Sequence, residues 1–433
     1  MPLADDDAIG TSAFSGKLLT TSAQVLTSVV ALPQSRPEQA SKAEKAKSKG
    51  LGAAIASMFR SKGKEKEKAE VSSAKGAVTS SVTSSKVEVR KDTAPTSARD
   101  KKFGTEAIDA KFSEKPIAEQ QKAHSAAKAF LQEQGRGVGT SVEFVRPPKM
   151  VCPKLADVTI KKDLDGAVFS FQHTNGVQGD ILAAGKRQGN QEVIFVAASQ
   201  FNAGEAPGAY TVKPGEACST YKGDITQGPQ AQLSFSDDQV ELLNCGANRG
   251  FNGLSGILDE NTKTAAKNGY FTPTGPQSDA VIDQLRTKGD QIEYACTTSR
   301  PKDGSKNVHM MLCATPAFGQ YRGQGNAITQ EQQHEVEFLC ALHSYRAQFS
   351  QSIEIAKSTG NPVLLNAYGV GLGVFGNDPG VVAKAFYLTA KEAEAALKEN
   401  KVSVQFQIFK KSEASAADLK SIQLASALGL KQK

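Results

Sequence analysis

The chain has 433 residues, with 52 Lys and Arg against 45 Asp and Glu, and six cysteines. Residues 1–150 hold 25 basic and 17 acidic side chains, which leaves 27 and 28 for the remainder. The positive balance therefore belongs to the N-terminal third, and it excludes a charge-based reading of the whole protein as a nucleic-acid binder; no specific nucleic-acid partner is expected.

Asp5-Asp6-Asp7 opens the chain without a basic stretch and apolar core, which argues against a secretory signal peptide. No apolar run reaches the length of a membrane span. Cys152, Cys218, Cys245, Cys296, Cys313 and Cys340 are far apart, and none forms a CxxC pair. Several lie in apolar runs, so free thiols in a reducing, cytoplasmic compartment are expected, with no zinc site, metal or cofactor.

Residues 1–145 are rich in Ser, Ala, Lys, Thr and Glu and poor in aromatics, so they bury too little apolar surface to offset chain entropy. Three pieces have helical patterning: Phe14 to Val30, Leu51 to Phe59, and Thr105 to Gln134. The second runs into Arg60, Lys62, Lys64, Lys66 and Lys68. Residues 51–68 thus suit contact with an anionic membrane, although a solvated lysine-rich linker is the plainer reading. Gly135 to Gly139 ends the third piece.

From residue 146 the pattern is that of a folded domain, expected to reach residue 410. Val158–Ile160 and Ala167–Phe171 read as strands, and Glu192–Ala198 as a buried central strand, because it is short, β-branched and nearly all apolar. A loop rich in Gly, Pro and Glu follows. Val240–Asn244 reads as a strand and Asn252 to about Lys267 as a helix; residues 268–290 alternate between loop and short helix. Asn307–Ala314 reads as a second buried strand and Gln330–Lys357 as a long amphipathic helix. Val363-Leu364-Leu365 is a strand, Val381–Phe386 a helix, and Val402–Phe409 a last, alternating strand. Strands alternating with helices predict a three-layer α/β/α fold with a mixed central sheet. The tail, residues 411–433, reads as a short helix or an unstructured end. Its Glu413 and small residues would also suit an export signal of a bacterial secretion system.

Between the strand at Val363 and the helix at Val381 lie Gly369, Gly371, Gly373 and Gly376, then Asn377-Asp378-Pro379 as a helix start. Bare glycine N–H groups followed by a helix N-terminus suit a phosphate; a tight turn without ligand is the competing reading. No Gly-Lys-Ser/Thr follows, so a Walker-type nucleotide loop is disfavoured. Gly371 to Gly376 fits G-x-G-x-x-G, but it lies late in the chain and lacks the acidic strand end of a dinucleotide fold. His173, His309, His334 and His343 have no ligand spacing, and His309 reads as a core residue.

The stretch Gly371–Pro379, with Val382, Ala383 and Phe386 behind it, resembles the second ADP-ribose loop of macrodomains, most nearly that of the poly(ADP-ribose) glycohydrolase-like branch. Ala198–Asn202, Glu205, Tyr221, Asp224 and Thr226–Pro229 resemble a divergent subgroup. It is found among effectors of intracellular bacteria and eukaryotic relatives, and includes arginine-specific ADP-ribosylhydrolases. The resemblance covers about residues 151–410. It implies a macrodomain-like fold and an ADP-ribose pocket lined by Asp180, Gln200, Phe201, Asn202, Thr226, Gln227, Gly369, Gly371, Gly373, Val374, Phe375, Gly376, Asn377 and Asp378. It implies ADP-ribose or an ADP-ribosylated protein as partner.

Asp180 precedes the central strand, as an adenine-binding aspartate should, and reads equally as a solvated turn residue. The paired glutamates of poly(ADP-ribose) glycohydrolases are absent, which puts cleavage of ribose–ribose links in doubt. Cleaving a glycosidic bond at the distal ribose builds positive charge at C1″, which a carboxylate would stabilise. Asp224 and Glu205 are the catalytic candidates, and Asp378 reads first as a helix cap. Removal of ADP-ribose from a protein side chain, plausibly arginine, is the expected activity. The alternatives are a non-catalytic ADP-ribose reader and an interaction protein working through its basic N-terminus.

Overall fold

A computed structural model describes residues 103, 111–174, 176–204, 231, 234–319, 328–409 and 416–433. All lie within one compact unit, Asp92–Lys433. The patterned segments Phe14–Val30 and Leu51–Phe59 fall outside the described residues, as do Cys218 and the candidates Glu205, Tyr221, Asp224, Thr226 and Gln227.

In chain order the elements are helix α1 (Ile117–Gly137), strands β1 (Ser141–Val145) and β2 (Phe169–Thr174), helix α2 (Val177–Gly185), strand β3 (Glu192–Ala198), helix α3 (Asp237–Asn248), and a small hairpin of β4 (Ala266–Lys267) and β5 (Tyr270–Phe271). There follow helix α4 (Gly275–Lys288), strands β6 (Tyr294–Ser299) and β7 (Val308–Cys313), helix α5 (Gln330–Thr359), strand β8 (Val363–Ala367), helix α6 (Pro379–Glu399), strand β9 (Val402–Phe409) and helix α7 (Ala416–Leu428).

Seven strands form one mixed sheet in the order β1-β6-β7-β3-β8-β9-β2. The run from β7 to β2 is parallel throughout, while β6 is antiparallel to both β1 and β7. The period-two alternation of β3 divides its side chains between two cores. Val193, Phe195 and Ala197 pack with Ala127 and Leu131 of α1 and Leu242 and Leu243 of α3. Ile194 and Val196 pack with Phe338 and Leu342 of α5 and Phe386 of α6. The result is the expected α/β/α sandwich. Each fully buried Leu or Phe contributes about 2 kcal/mol of transfer free energy. Phe386 is the hub of its layer, meeting Tyr345, Phe349, Phe169 and Phe406 edge-on at 5.0–6.1 Å.

Helix α5 is more buried than an amphipathic surface helix, because the sheet, α4 and α6 all pack on it. Its polar residues therefore need partners. Arg346 is 2% exposed; its Nε and Nη2 donate to the two carboxylate oxygens of Glu392 at 2.9 and 2.6 Å, and Nη2 also donates to the Val151 carbonyl. On β9, Gln407 is buried although it alternates with Phe406 and Ile408. It is satisfied by the amides of Asn366 (2.7 Å) and Gln172 (2.9 Å) on the flanking strands.

Several expectations are corrected. Val158–Ile160 is not a strand: a 3-10 turn at Leu155–Asp157 precedes it, and Val158 and Ile160 pack on the core without a ladder. Val240–Asn244 is helical, inside α3. The Ser236 hydroxyl caps Gln239 N–H at 3.1 Å, and Asp237 and Asp238 fill the first turn, a helix start that outweighs the short apolar run. Asn252–Lys267 forms turns, a 3-10 turn at Lys263–Ala265 and β4, because the backbone of Gly253 is taken up elsewhere: its N–H donates to the Phe201 carbonyl at 2.7 Å and its carbonyl accepts from the Glu293 N–H at 2.9 Å. The packed part of the chain also includes α1 and β1, which lie before residue 146. Beyond α7, the Phe171 N–H donates to the Lys431 carbonyl and the Lys433 N–H to the Phe171 carbonyl, which ties the end of the chain to the β2 edge.

Candidate functional site

Strands β7, β3 and β8 are parallel neighbours, so their C-terminal ends open onto one edge of the sheet. That is where a parallel sheet presents loops to a ligand. Three loops meet there: Ser199–Gly204 after β3, Ala314–Gly319 after β7, and Tyr368–Asn377 after β8.

The third is the glycine-rich loop. Gly371 and Gly376 adopt φ of 81° and 77°, a region costly for other residues. A Cβ on Gly371 would lie 2.1 Å from the Thr315 hydroxyl oxygen, and one on Gly376 would lie 2.8 Å from the Gly319 Cα. These glycines answer to turn geometry and to close packing on the β7 loop, where the Gly319 N–H donates to the Phe375 carbonyl at 2.7 Å. Gly373 differs: a Cβ there would meet nothing within 4 Å, and its neighbour Val374 is 52% exposed.

The loop's own hydrogen bonds use the N–H groups of Leu372, Gly376 and Asn377, which donate to Gly369, Gly373 and Gly371. The N–H groups of Gly371, Gly373 and Val374 donate to no described residue. The loop is thus held rigid by one set of amides and leaves another set bare, which is the physical requirement for an oxyanion cradle. The helix behind it adds less. Asp378 is its N-cap, with Oδ1 accepting from Gly380 N–H at 2.8 Å and Val381 N–H at 3.0 Å, so these leading amides of α6 are already served.

Asn377 is fully buried. Its Nδ2 donates to Thr315 Oγ1 at 3.0 Å, while its Oδ1 has no partner among the described residues. Beneath it, the Asp378 N–H donates at 3.0 Å to Glu337, a carboxyl with no exposure on α5. Burial raises the pKa of Glu337, partly opposed by that bond and by one from Gln333. From the other side, Lys420 of α7 donates to the Asn377 carbonyl at 3.0 Å.

On the β3 loop, Gln200 Nε2 donates to the Tyr270 hydroxyl at 3.3 Å, and its buried Oε1 is without a partner among the described residues. Tyr270 lies 5.8 Å from the Phe375 ring, so the β4–β5 hairpin joins the β3 loop to the glycine loop. Phe201 is 3% exposed and packs edge-on against Phe271 at 5.7 Å, a core role. Asn202 is also consumed locally: Nδ2 donates to the Asn268 carbonyl and Oδ1 accepts from Gly204 N–H.

Asp180 sits in the first turn of α2 and accepts a hydrogen bond from Thr174, the last residue of β2. Burial raises its carboxyl pKa, with the Thr174 bond opposing. It shares the edge with the other loops, but β2 lies three strands from β3, about 14 Å along the sheet.

The structure therefore gathers Gln200, Phe375, Asn377 and the loop glycines, sets Asp180 to one side, and leaves Phe201 and Asn202 as framework. Tyr270, Thr315, Gly319 and Lys420 complete the site, and no motif in the sequence marks them. Among the described residues no group of His, Cys, Asp and Glu side chains could hold a metal ion, and no helix is long and apolar enough to cross a membrane.

No protein-family model matches the chain, and no curated protein matches it. Among solved structures, it is similar to a point mutant of poly(ADP-ribose) glycohydrolase from Thermomonospora curvata, at 14% identity and a TM-score of 0.33, over 72% of this chain and 98% of the other. It is also similar to poly(ADP-ribose) glycohydrolase from Deinococcus radiodurans in complex with ADP-ribose, at 12% identity and a TM-score of 0.34, over 70% and 98%. Similarity at this level establishes neither a family nor an activity.

Proposed function

We propose that this chain binds ADP-ribose at the β3–β7–β8 edge and hydrolyses the glycosidic bond that joins it to a modified protein side chain. The observation that carries the reading is the rigid glycine loop with three bare N–H groups, at Gly371, Gly373 and Val374. Such a cradle suits a diphosphate, whose charge is spread over several oxygens. Part-exposed Phe375, backed by the buried ring of Tyr270, supplies aromatic surface beside it.

In the reaction, water adds at C1″ of the distal ribose, the bond to the side chain breaks, and the side chain leaves with the proton that water gives up. Asp224 or Glu205 is the proposed carboxylate that stabilises the positive charge or takes that proton. Arginine is the proposed linkage, on the sequence resemblance of residues 198–229.

Calorimetry with free ADP-ribose tests the pocket; no heat of binding at millimolar ligand would remove it. Incubation with an arginine-ADP-ribosylated protein then tests the chemistry, read as loss of label by mass spectrometry. Asp224→Ala and Glu205→Ala should retain ADP-ribose binding and lose release. A label that persists on the native enzyme while ADP-ribose binds would make the protein a reader.

A further inference from the structure

A second polar site lies at the far end of the same sheet edge. It is a cavity of about 360 Å³ lined by residues that include Gln132, Lys128, Arg146, Gln291 and Glu293. Glu293 is 6% exposed and is the floor. Its Oε1 accepts from Lys128 Nζ at 2.6 Å and from Arg146 Nη2 and Nε at 2.9 and 3.1 Å, and its Oε2 pairs with His124 Nε2 at 2.6 Å.

The charge count decides what such a site takes. The Nδ1 of His124 accepts the Asn252 N–H at 3.1 Å, which leaves Nε2 to donate to Glu293. Lys128 and Arg146 face a single carboxylate, and among the described residues no other acidic side chain lines the cavity. The surplus is one positive charge. Burial alone would raise the Glu293 pKa; the hydrogen bonds and charges of His124 and Lys128 outweigh it and hold it to about 2, the mark of a positive local field.

The cations are also held in place. Lys128 is fixed by Glu293 and by the Phe144 ring, 4.8 Å from its Nζ, and Arg146 by two bonds to one oxygen. Arg146 Nη1 and the amides of Gln132 and Gln291 have no partner among the described residues and stand on the rim. Cations immobilised by a buried carboxylate lose little entropy when a ligand arrives.

We propose that this cavity is a separate oxyanion-binding site, in which Lys128 and Arg146 hold a phosphate or carboxylate group of an anionic ligand. Glu293 acts as the anchor that positions both cations. The site is independent of the glycine loop.

The chain has no tryptophan, so Gln132→Trp in the full-length protein gives one fluorescent reporter on the rim. Inorganic phosphate and citrate are titrated at constant ionic strength, with chloride as the control anion. A saturable change with phosphate, citrate or both, absent with chloride, is expected, and the stronger of the two names the group preferred. In the same background Arg146→Gln and Lys128→Gln should each weaken the response about tenfold. Arg146 is 58% exposed on its side chain, so Arg146→Gln keeps the test open should Lys128→Gln fail to fold. A response to neither anion, or a saturable response unchanged in Arg146→Gln, overturns the proposal.

Discussion

The two ends of this sheet edge present positive character by different means. At the end of β8 it comes from backbone N–H groups locked by tight turns; at the end of β1, four strand spacings or about 19 Å away, it comes from charged side chains clustered on Glu293. The first is a fixed geometry whose bare donors are backbone amides. The second is a balance of charges, open to pH and, through half-exposed Arg146, to salt. A backbone cradle is broken by shape, a side-chain cluster by charge. That difference orders the expected effects of mutation.

The largest effect is on the framework behind the glycine loop. Phe386→Ala empties the hub that joins α5, α6, β2 and β9, and should lower stability by about 3–5 kcal/mol in urea unfolding. Both regions should fail together if the sheet is one cooperative unit; a loss confined to ADP-ribose binding would show the two ends to be independent.

Next comes the charge cluster. The depressed Glu293 carboxyl contributes stability that is complete above the ordinary glutamate range and is lost as pH falls toward 2. His343, which burial lowers to about 4, acts in the same direction: the buried neutral ring loses its contribution as the unfolded chain becomes protonated below about pH 6.5. Glu293→Gln should cost about 2 kcal/mol at neutral pH and flatten the acid limb of the stability profile. An unchanged acid limb in this variant would remove Glu293 as its source. Glu337 has the opposite sign. Its raised pKa makes the folded state bind its proton more tightly, so its contribution falls as pH rises.

Gly373→Asp separates the two regions most cleanly. The position has open space and no left-handed backbone, so stability should move by no more than about 0.5 kcal/mol. A carboxylate beside the bare amides should weaken ADP-ribose binding about tenfold and leave the phosphate response of the Gln132→Trp reporter unchanged. Equal weakening at both sites would mean that one anion path serves them.

Strands β3, β8 and β9, helix α5 and the place of the glycine loop were legible because each carries a local signal, either a short apolar run or a capped helical period. Strand β6, with Thr297, Thr298 and Ser299, lacked that signal; its pairing is set by β1 and β7. Helix α3 was misread because Val240-Glu-Leu-Leu looks like a strand until the Ser236 cap is noticed. The glycines were found, but not why they are glycine: Thr315 and Gly319, which Gly371 and Gly376 pack against, lie more than 50 residues earlier. Phe201 and Asn202 read as ligand residues on motif alone, and the hairpin that absorbs them, Asn268 to Phe271, carries no mark of that role.

The smallest effect sharpens the comparison most, because Lys420 is a charged side chain placed at the backbone cradle. It donates from α7 to the Asn377 carbonyl, while Leu424, Ala425 and Leu428 bury the same helix in the core. Lys420→Met keeps the stem and removes the charged hydrogen bond. Because the helix stays docked through its apolar residues, stability should fall by less than about 1 kcal/mol. If Lys420 only steadies the loop, ADP-ribose affinity should drop about threefold, with little dependence on salt. A drop beyond tenfold that shrinks as salt is raised would instead put the ammonium in contact with the ligand, making this end of the edge a hybrid of backbone and side-chain recognition.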